Sequence, residues 1–97
     1  MIVSGGENVY LREVEDLLGG HSDIVEAAVV GVPDEEFGQR LVAYVVKRPG
    51  SRLTAVAVKA LVSDQLARHK VPRDVLFLSE LPRNATGKVL RRALRPQ

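Results

Sequence analysis

The apolar and polar positions change period several times along this chain, and each change predicts an element. Val14, Leu17 and Leu18 share one helical face, while Arg12, Glu13, Glu15 and Asp16 take the other. A short acidic helix is therefore expected from Leu11, ended by Gly19-Gly20. Ahead of it, Ile2-Val3 and Val9-Tyr10 flank Gly5-Gly6, which suits a small two-stranded ribbon with a glycine turn. Residues 24–32 (IVEAAVVGV) and 41–47 (LVAYVVK) are β-branched runs separated by PDEEFG at 33–38, so they read as neighbouring strands. Both runs are too continuously apolar for a solvated face, and helices are expected to cover at least one side of the sheet.

After the loop Pro49-Gly50-Ser51, Thr54 is placed to cap a helix reaching to about His69, with Val58, Leu61, Val62 and Leu66 on one stripe. Val71-Pro72 stops it, and DVLFL at 74–78 forms a third strand. Pro82 opens a loop, and Val89, Leu90, Ala93 and Leu94 predict a last helix over 89–95. The order β-α-β-β-α-β-α describes an α+β fold, a small three-stranded sheet flanked by helices with a short N-terminal β-ribbon.

Ninety-seven residues make a single domain, 1–97, with 45% hydrophobic and 27% charged residues. The absence of cysteine excludes disulfides and thiolate zinc sites, and His21 and His69 are too isolated in sequence to suggest a metal centre, so no metal site is expected. No run approaches 18 apolar residues and the N-terminus lacks a signal-peptide pattern, so no transmembrane segment is expected and a cytoplasmic location is the default. Charge is divided unevenly: residues 1–46 hold two basic and nine acidic groups, a net of −7, and residues 47–97 hold twelve and three, a net of +9. The second half faces anions. A nucleic-acid module is a poor match, because only Tyr10, Phe37, Tyr44 and Phe77 are aromatic and no stacking platform emerges.

Lys88 is the outstanding chemical candidate. It follows Thr86-Gly87 in LPRNATGKVLRR (81–92), on a loop at the predicted start of the last helix, where the helix dipole favours an anion. A phosphate loop of the Walker type fails here, since Pro82 stands in place of glycine and Val89 in place of the magnesium-binding Ser/Thr. Gly5, Gly6 and Glu7 form a second constellation, which in isolation is a hairpin turn.

The run LPRNATGKVLRR resembles the C-terminal signature of adenylate-forming enzymes, the superfamily of acyl-CoA synthetases, luciferases and peptide-synthetase adenylation domains. MIVSGGENVYLREVE (1–15), VVGVPDEEFGQRLVAYVV (29–46) and HKVPRDVLFLSELP (69–82) resemble further segments of that family, in the same order. The resemblance implies the mobile C-terminal domain of an acyl-CoA synthetase, a fatty-acid–CoA ligase-like member, whose large N-terminal domain precedes this point. It implies carboxylic acid, ATP and CoA as substrates, with Mg2+ accompanying ATP and held outside this domain. Lys88 matches the catalytic adenylation lysine, with Thr86 and Gly87 as its supporting loop. Gly5, Gly6 and Glu7 match the loop that lines the CoA pantetheine passage after the domain rotates. Alone, the domain is expected to be inactive. The alternative within the superfamily is an aryl-acid or peptide-synthetase branch, which GGENVY and TGKVLRR match less well. Leu11 departs from the family, many members having proline there. Arg40, Lys47, Arg48, Lys59, Lys70, Arg73 and Arg83 are candidate partners for the CoA phosphates, whereas Arg91, Arg92 and Arg95 suit a solvent face or the large domain. Glu13, Glu15, Glu35 and Glu36 read as solvated.

Overall fold

A computed structural model describes residues 2–4, 7–36, 38–90 and 93–94, with side chains described from Val9 onward. The ribbon consists of β1 (Ile2–Ser4) and β2 (Glu7–Val9), antiparallel with Ile2 opposite Val9 and Ser4 opposite Glu7. Its expected turn, Gly5-Gly6, lies outside the described residues, as does Phe37.

Helix α1 (Leu11–Gly19) buries Val14 and Leu18 and leaves Arg12, Glu13 and Asp16 exposed, as its period dictates. Leu11 packs against the core, so apolar burial at the first helical position offsets the backbone preorganisation a proline would bring. The helix ends without a left-handed glycine. Gly20 keeps φ −80°, and the chain unwinds through the His21 N–H bonded to Leu18 O at 3.1 Å.

Strands β3 (Ile24–Asp34) and β4 (Gly38–Lys47) form a long antiparallel pair, and β5 (Asp74–Phe77) lies parallel to β4 on its other side. The β3–β4 pairing runs further than the sequence suggests, reaching Asp34 opposite Gly38 through the Pro33–Gln39 pair. Proline is tolerated because β3 is an edge strand. Val29, four residues earlier and therefore of the same orientation, donates its N–H away from β4 to Glu15 Oε2 at 2.7 Å. The missing N–H of Pro33 falls on that same outer edge, where no ladder bond is lost. Glu15 is accordingly a cap on the sheet edge and not the solvated group its sequence context suggests. Glu13 is likewise engaged, paired to Lys70 at 2.5 Å.

The strict alternation of β4 divides the core in two. Leu41, Ala43 and Val45 face α1 and α2, whereas Val42, Tyr44 and Val46 face the opposite side. In β3 a register shift between Ile24 and Glu26 lets Ile24 join Ala27 and Val29 on the helix-covered face despite its even number, with Val25 left 52% exposed. Helix α2 (Ala55–Gln65) starts where Thr54 Oγ1 accepts from Ala57 N at 3.1 Å, and it buries Val58 and Val62. It stops four residues short of His69. Leu66 is already extended, and Arg68–Lys70 form a separate 3₁₀ turn that brings Val71 and the buried Pro72 back toward the sheet ahead of β5.

The other face of the sheet is covered by the C-terminal segment. Leu81 and Leu94 are buried there, joined by Leu78 and Val89. The helix expected over 89–95 is not formed at its start: Val89 pairs with Arg83 in an antiparallel bridge, while further on Ala93 N–H is bonded to Leu90 O at 3.1 Å. Val89 and Leu94 pack with Val30, Val42, Tyr44 and Val46. At Val89 the bridge and burial against the sheet override the local helical preference. Arg91, Arg92 and residues 95–97 lie outside the described residues.

Candidate functional site

The exposed loop between Arg83 and Val89 is closed by the chain on either side of it. Leu90 N–H donates to Pro82 O at 2.9 Å, the Arg83–Val89 bridge follows, and Asn84 N–H donates to Lys88 O at 2.9 Å. Within this frame Gly87 N–H reaches Asn84 O at 3.0 Å, and Gly87 adopts φ +86°, a conformation that favours glycine. Asn84 Oδ1 accepts from three donors: Thr86 N–H at 3.0 Å, Thr86 Oγ1 at 2.7 Å and Lys88 N–H at 3.0 Å. Arg83 ties the loop to the sheet, donating through Nη1 to Gly87 O at 2.8 Å while Nη2 pairs with Glu26 of β3.

Lys88 thus has both backbone polar groups held, while its side chain is exposed and has no ion pair or hydrogen bond among the described residues. It belongs to a closed hairpin-like loop and not to the start of a helix, so the helix-dipole argument does not apply to it. A compact charge on a fixed stem root is suited to an incoming phosphate or carboxylate. Thr86 and Gly87 stand beside it as expected. Gly5 and Gly6 lie outside the described residues, and of Glu7 only the backbone, in β2, is described.

The remaining basic candidates separate into two groups. Arg40 binds Asp74 at 3.1 Å and Pro33 O at 3.0 Å, Lys47 sits 4.5 Å from the Phe77 ring centre and donates to Leu53 O, Arg48 donates to Ser22 O, and Lys70 and Arg83 are paired with Glu13 and Glu26. These five act within the fold. Lys59 and Arg73 line a cleft of about 790 Å³ along β5, together with Arg40, Tyr44 and Asp74. Tyr44 Oη is buried without a hydrogen-bond partner among the described residues; burial, and then the Asp74 carboxylate, push its phenol above the ordinary value.

Asn84 is the residue that the sequence alone did not single out. Its signal was available: an Asn two residues before Thr and three before Gly is a side chain able to replace a backbone acceptor in a turn. What could not be read was that Lys88 would be among its donors. Among the described residues, no helix is long and apolar enough to cross a membrane.

Comparison with known proteins gives a consistent picture. The family described as AMP-binding enzyme C-terminal domain matches residues 13–88. The chain is 53% identical over 89 residues to an indoleacetate–CoA ligase of Aromatoleum aromaticum, covering 92% of this chain and 18% of that enzyme. To a sulfoacetate–CoA ligase of Cupriavidus necator it is 45% identical over 91 residues, covering 94% and 18%. The crystal structure of ATP-bound MatB from Rhodopseudomonas palustris superposes with a TM-score of 0.93 at 38% identity, covering 98% of this chain and 19% of that one. The chain therefore spans about a fifth of the length of the proteins it matches.

Proposed function

Because this chain belongs to the AMP-binding enzyme C-terminal domain family, we propose that it serves as the lysine-bearing domain of an AMP-forming acyl-CoA ligase, working with a large N-terminal domain of the same parent chain. In the first half-reaction a carboxylate oxygen attacks the α-phosphorus of ATP, the bond to the bridging oxygen breaks, and pyrophosphate leaves. Lys88 supplies positive charge to the carboxylate and the α-phosphate oxygens as negative charge accumulates on phosphorus. In the second, the CoA sulfur attacks the acyl carbonyl and AMP leaves, with Gly5, Gly6 and Glu7 lining the pantetheine passage. A rotation of the domain exchanges the two functions.

The observation that carries this reading is the Lys88 loop, with its backbone fixed at both ends and its ammonium unengaged among the described residues. The division of the core lends support to a two-faced domain: Val9, at the end of the ribbon, is buried on the helix-covered side, whereas the segment bearing Lys88 packs on the other. Two of the ligases similar to this chain carry acids as different as indoleacetate and sulfoacetate in their names, which supports selection of the acid outside this domain. A fatty acid is the substrate we favour for the parent, on the resemblance of the motifs.

In the full-length ligase, Lys88→Ala is expected to lower acyl-adenylate formation by ~10²–10³ and to spare thioester formation from supplied acyl-adenylate. Equal loss of both half-reactions would overturn the two-face mechanism. The 97-residue chain by itself is expected to release no AMP from ATP, a fatty acid and CoA.

A further inference from the structure

Lys88 has no helix to orient it, and the question is what directs its side chain. Both of its backbone polar groups end on one residue: Lys88 N–H on Asn84 Oδ1 at 3.0 Å, and Lys88 O on Asn84 N–H at 2.9 Å. The same oxygen of Asn84 also holds Thr86 through its N–H and its hydroxyl, at 3.0 and 2.7 Å. Fixing the N–H and the carbonyl on either side of Cα fixes the Cα–Cβ direction, and with it the root of a four-carbon stem. Asn84 itself follows Arg83, which is joined to Glu26 of β3 and bridged to Val89. A continuous set of bonds therefore runs from the sheet to the lysine.

We propose that Asn84 is a positioning residue for the adenylation step, holding the Lys88 loop in its working geometry before substrates bind. The inference rests on the assignment of Lys88 under Proposed function. Its physical content is preorganisation: a loop already closed loses no further backbone freedom when the ammonium meets the charge developing on phosphorus. The carboxamide is suited because one oxygen can gather several donors while the group as a whole remains neutral beside a lysine that must stay available. A loop ordered only through main-chain bonds would leave the Lys88 N–H free.

The test uses the full-length ligase with Asn84→Ala, Asn84→Asp, Lys88→Ala and the double substitution Asn84→Ala/Lys88→Ala. Single-turnover adenylation, KM for ATP and thioester formation from supplied acyl-adenylate are measured on each. Asn84→Ala is expected to lower the adenylation kcat by about 10²-fold, the scale of an ångström-level misplacement, with KM for ATP and the thioester step little changed. Asn84→Asp keeps an acceptor oxygen for the same donors but places a carboxylate beside Lys88, so it is expected to recover only part of the rate lost in Asn84→Ala. In the Lys88→Ala background Asn84→Ala is expected to cost nothing more, because it acts through a side chain already removed. Full adenylation by Asn84→Ala, equal loss of both half-reactions, or an additional loss on top of Lys88→Ala would each overturn the inference while leaving the role of Lys88 intact. Normal adenylation by Lys88→Ala would instead remove the assignment itself and the inference with it.

Discussion

Substituting alanine for Gly87 isolates the backbone requirement of the Lys88 loop. Gly87 adopts φ +86°, and a Cβ built on it meets no atom within 4 Å, so steric contact with neighbours contributes nothing. What remains is the left-handed conformation itself, which costs an L-residue about 1–2 kcal/mol. For a domain of this size that corresponds to a fall in Tm of roughly 5–15 °C. Gly50 is the matched control, with φ +81° and equally open surroundings in the turn before α2. Gly50→Ala should therefore cost about the same ~1–2 kcal/mol in stability by denaturant or thermal unfolding. The two variants should part in the full-length ligase. Gly87 donates to Asn84 O and its carbonyl accepts from Arg83, so any relaxation of φ disturbs the bonds that hold Lys88, and adenylation should fall for Gly87→Ala alone. Unchanged stability in both variants would refute the backbone argument. An equal fall in adenylation for Gly50→Ala would refute the link between this loop and the chemistry.

Two further substitutions probe the framework. Leu18 is fully buried between α1 and the sheet, and Leu18→Ala should cost ~2–5 kcal/mol, a large part of the ~5–15 kcal/mol that holds such a domain together; a urea midpoint unchanged from the parent chain would contradict the packing described. Burial and Asp74 raise the Tyr44 phenol above its ordinary 10.0 in the folded chain, so the unfolded chain gives up this proton first. The stability associated with Tyr44 is thus complete below about pH 10 and declines as pH rises from there through the folded value. Tyr44→Phe should remove that part of the alkaline decline and, since the hydroxyl has no partner among the described residues, should not destabilise the chain at pH 7. Unfolding measured at pH 7 and at pH 11 for both proteins checks this, and a marked loss at pH 7 would show that the hydroxyl is bonded.

Much of this domain is legible from its residues because local terms and tertiary packing agree. The apolar stripes of α1 and α2, the Thr54 cap and the β-branched runs of β3 and β4 each ask for the element that forms, and burial rewards the same choice. Lys88, Thr86 and Gly87 stand out in the sequence as candidates, a charged residue beside a glycine in a loop, and the loop itself is what forms. Where the two disagree, the structure follows the contacts. Residues 89–94 have a helical spacing, yet Val89 is drawn into a bridge with Arg83, and its side chain and that of Leu94 are packed on the open face of the sheet.

The sequence by itself determined the family and the α+β class and singled out Lys88 as the chemical candidate, since these depend on residue type, period and motif. Tertiary structure alone decided how that lysine is held. Which donors gather on Asn84, which cations are tied down by Glu13, Glu26 and Asp74, and which edge of β3 carries the missing N–H of Pro33 depend on groups far apart in the chain meeting at bonding distance. Hydrogen bonds and ion pairs act over only a few ångströms, and that proximity exists only once the chain has closed on itself.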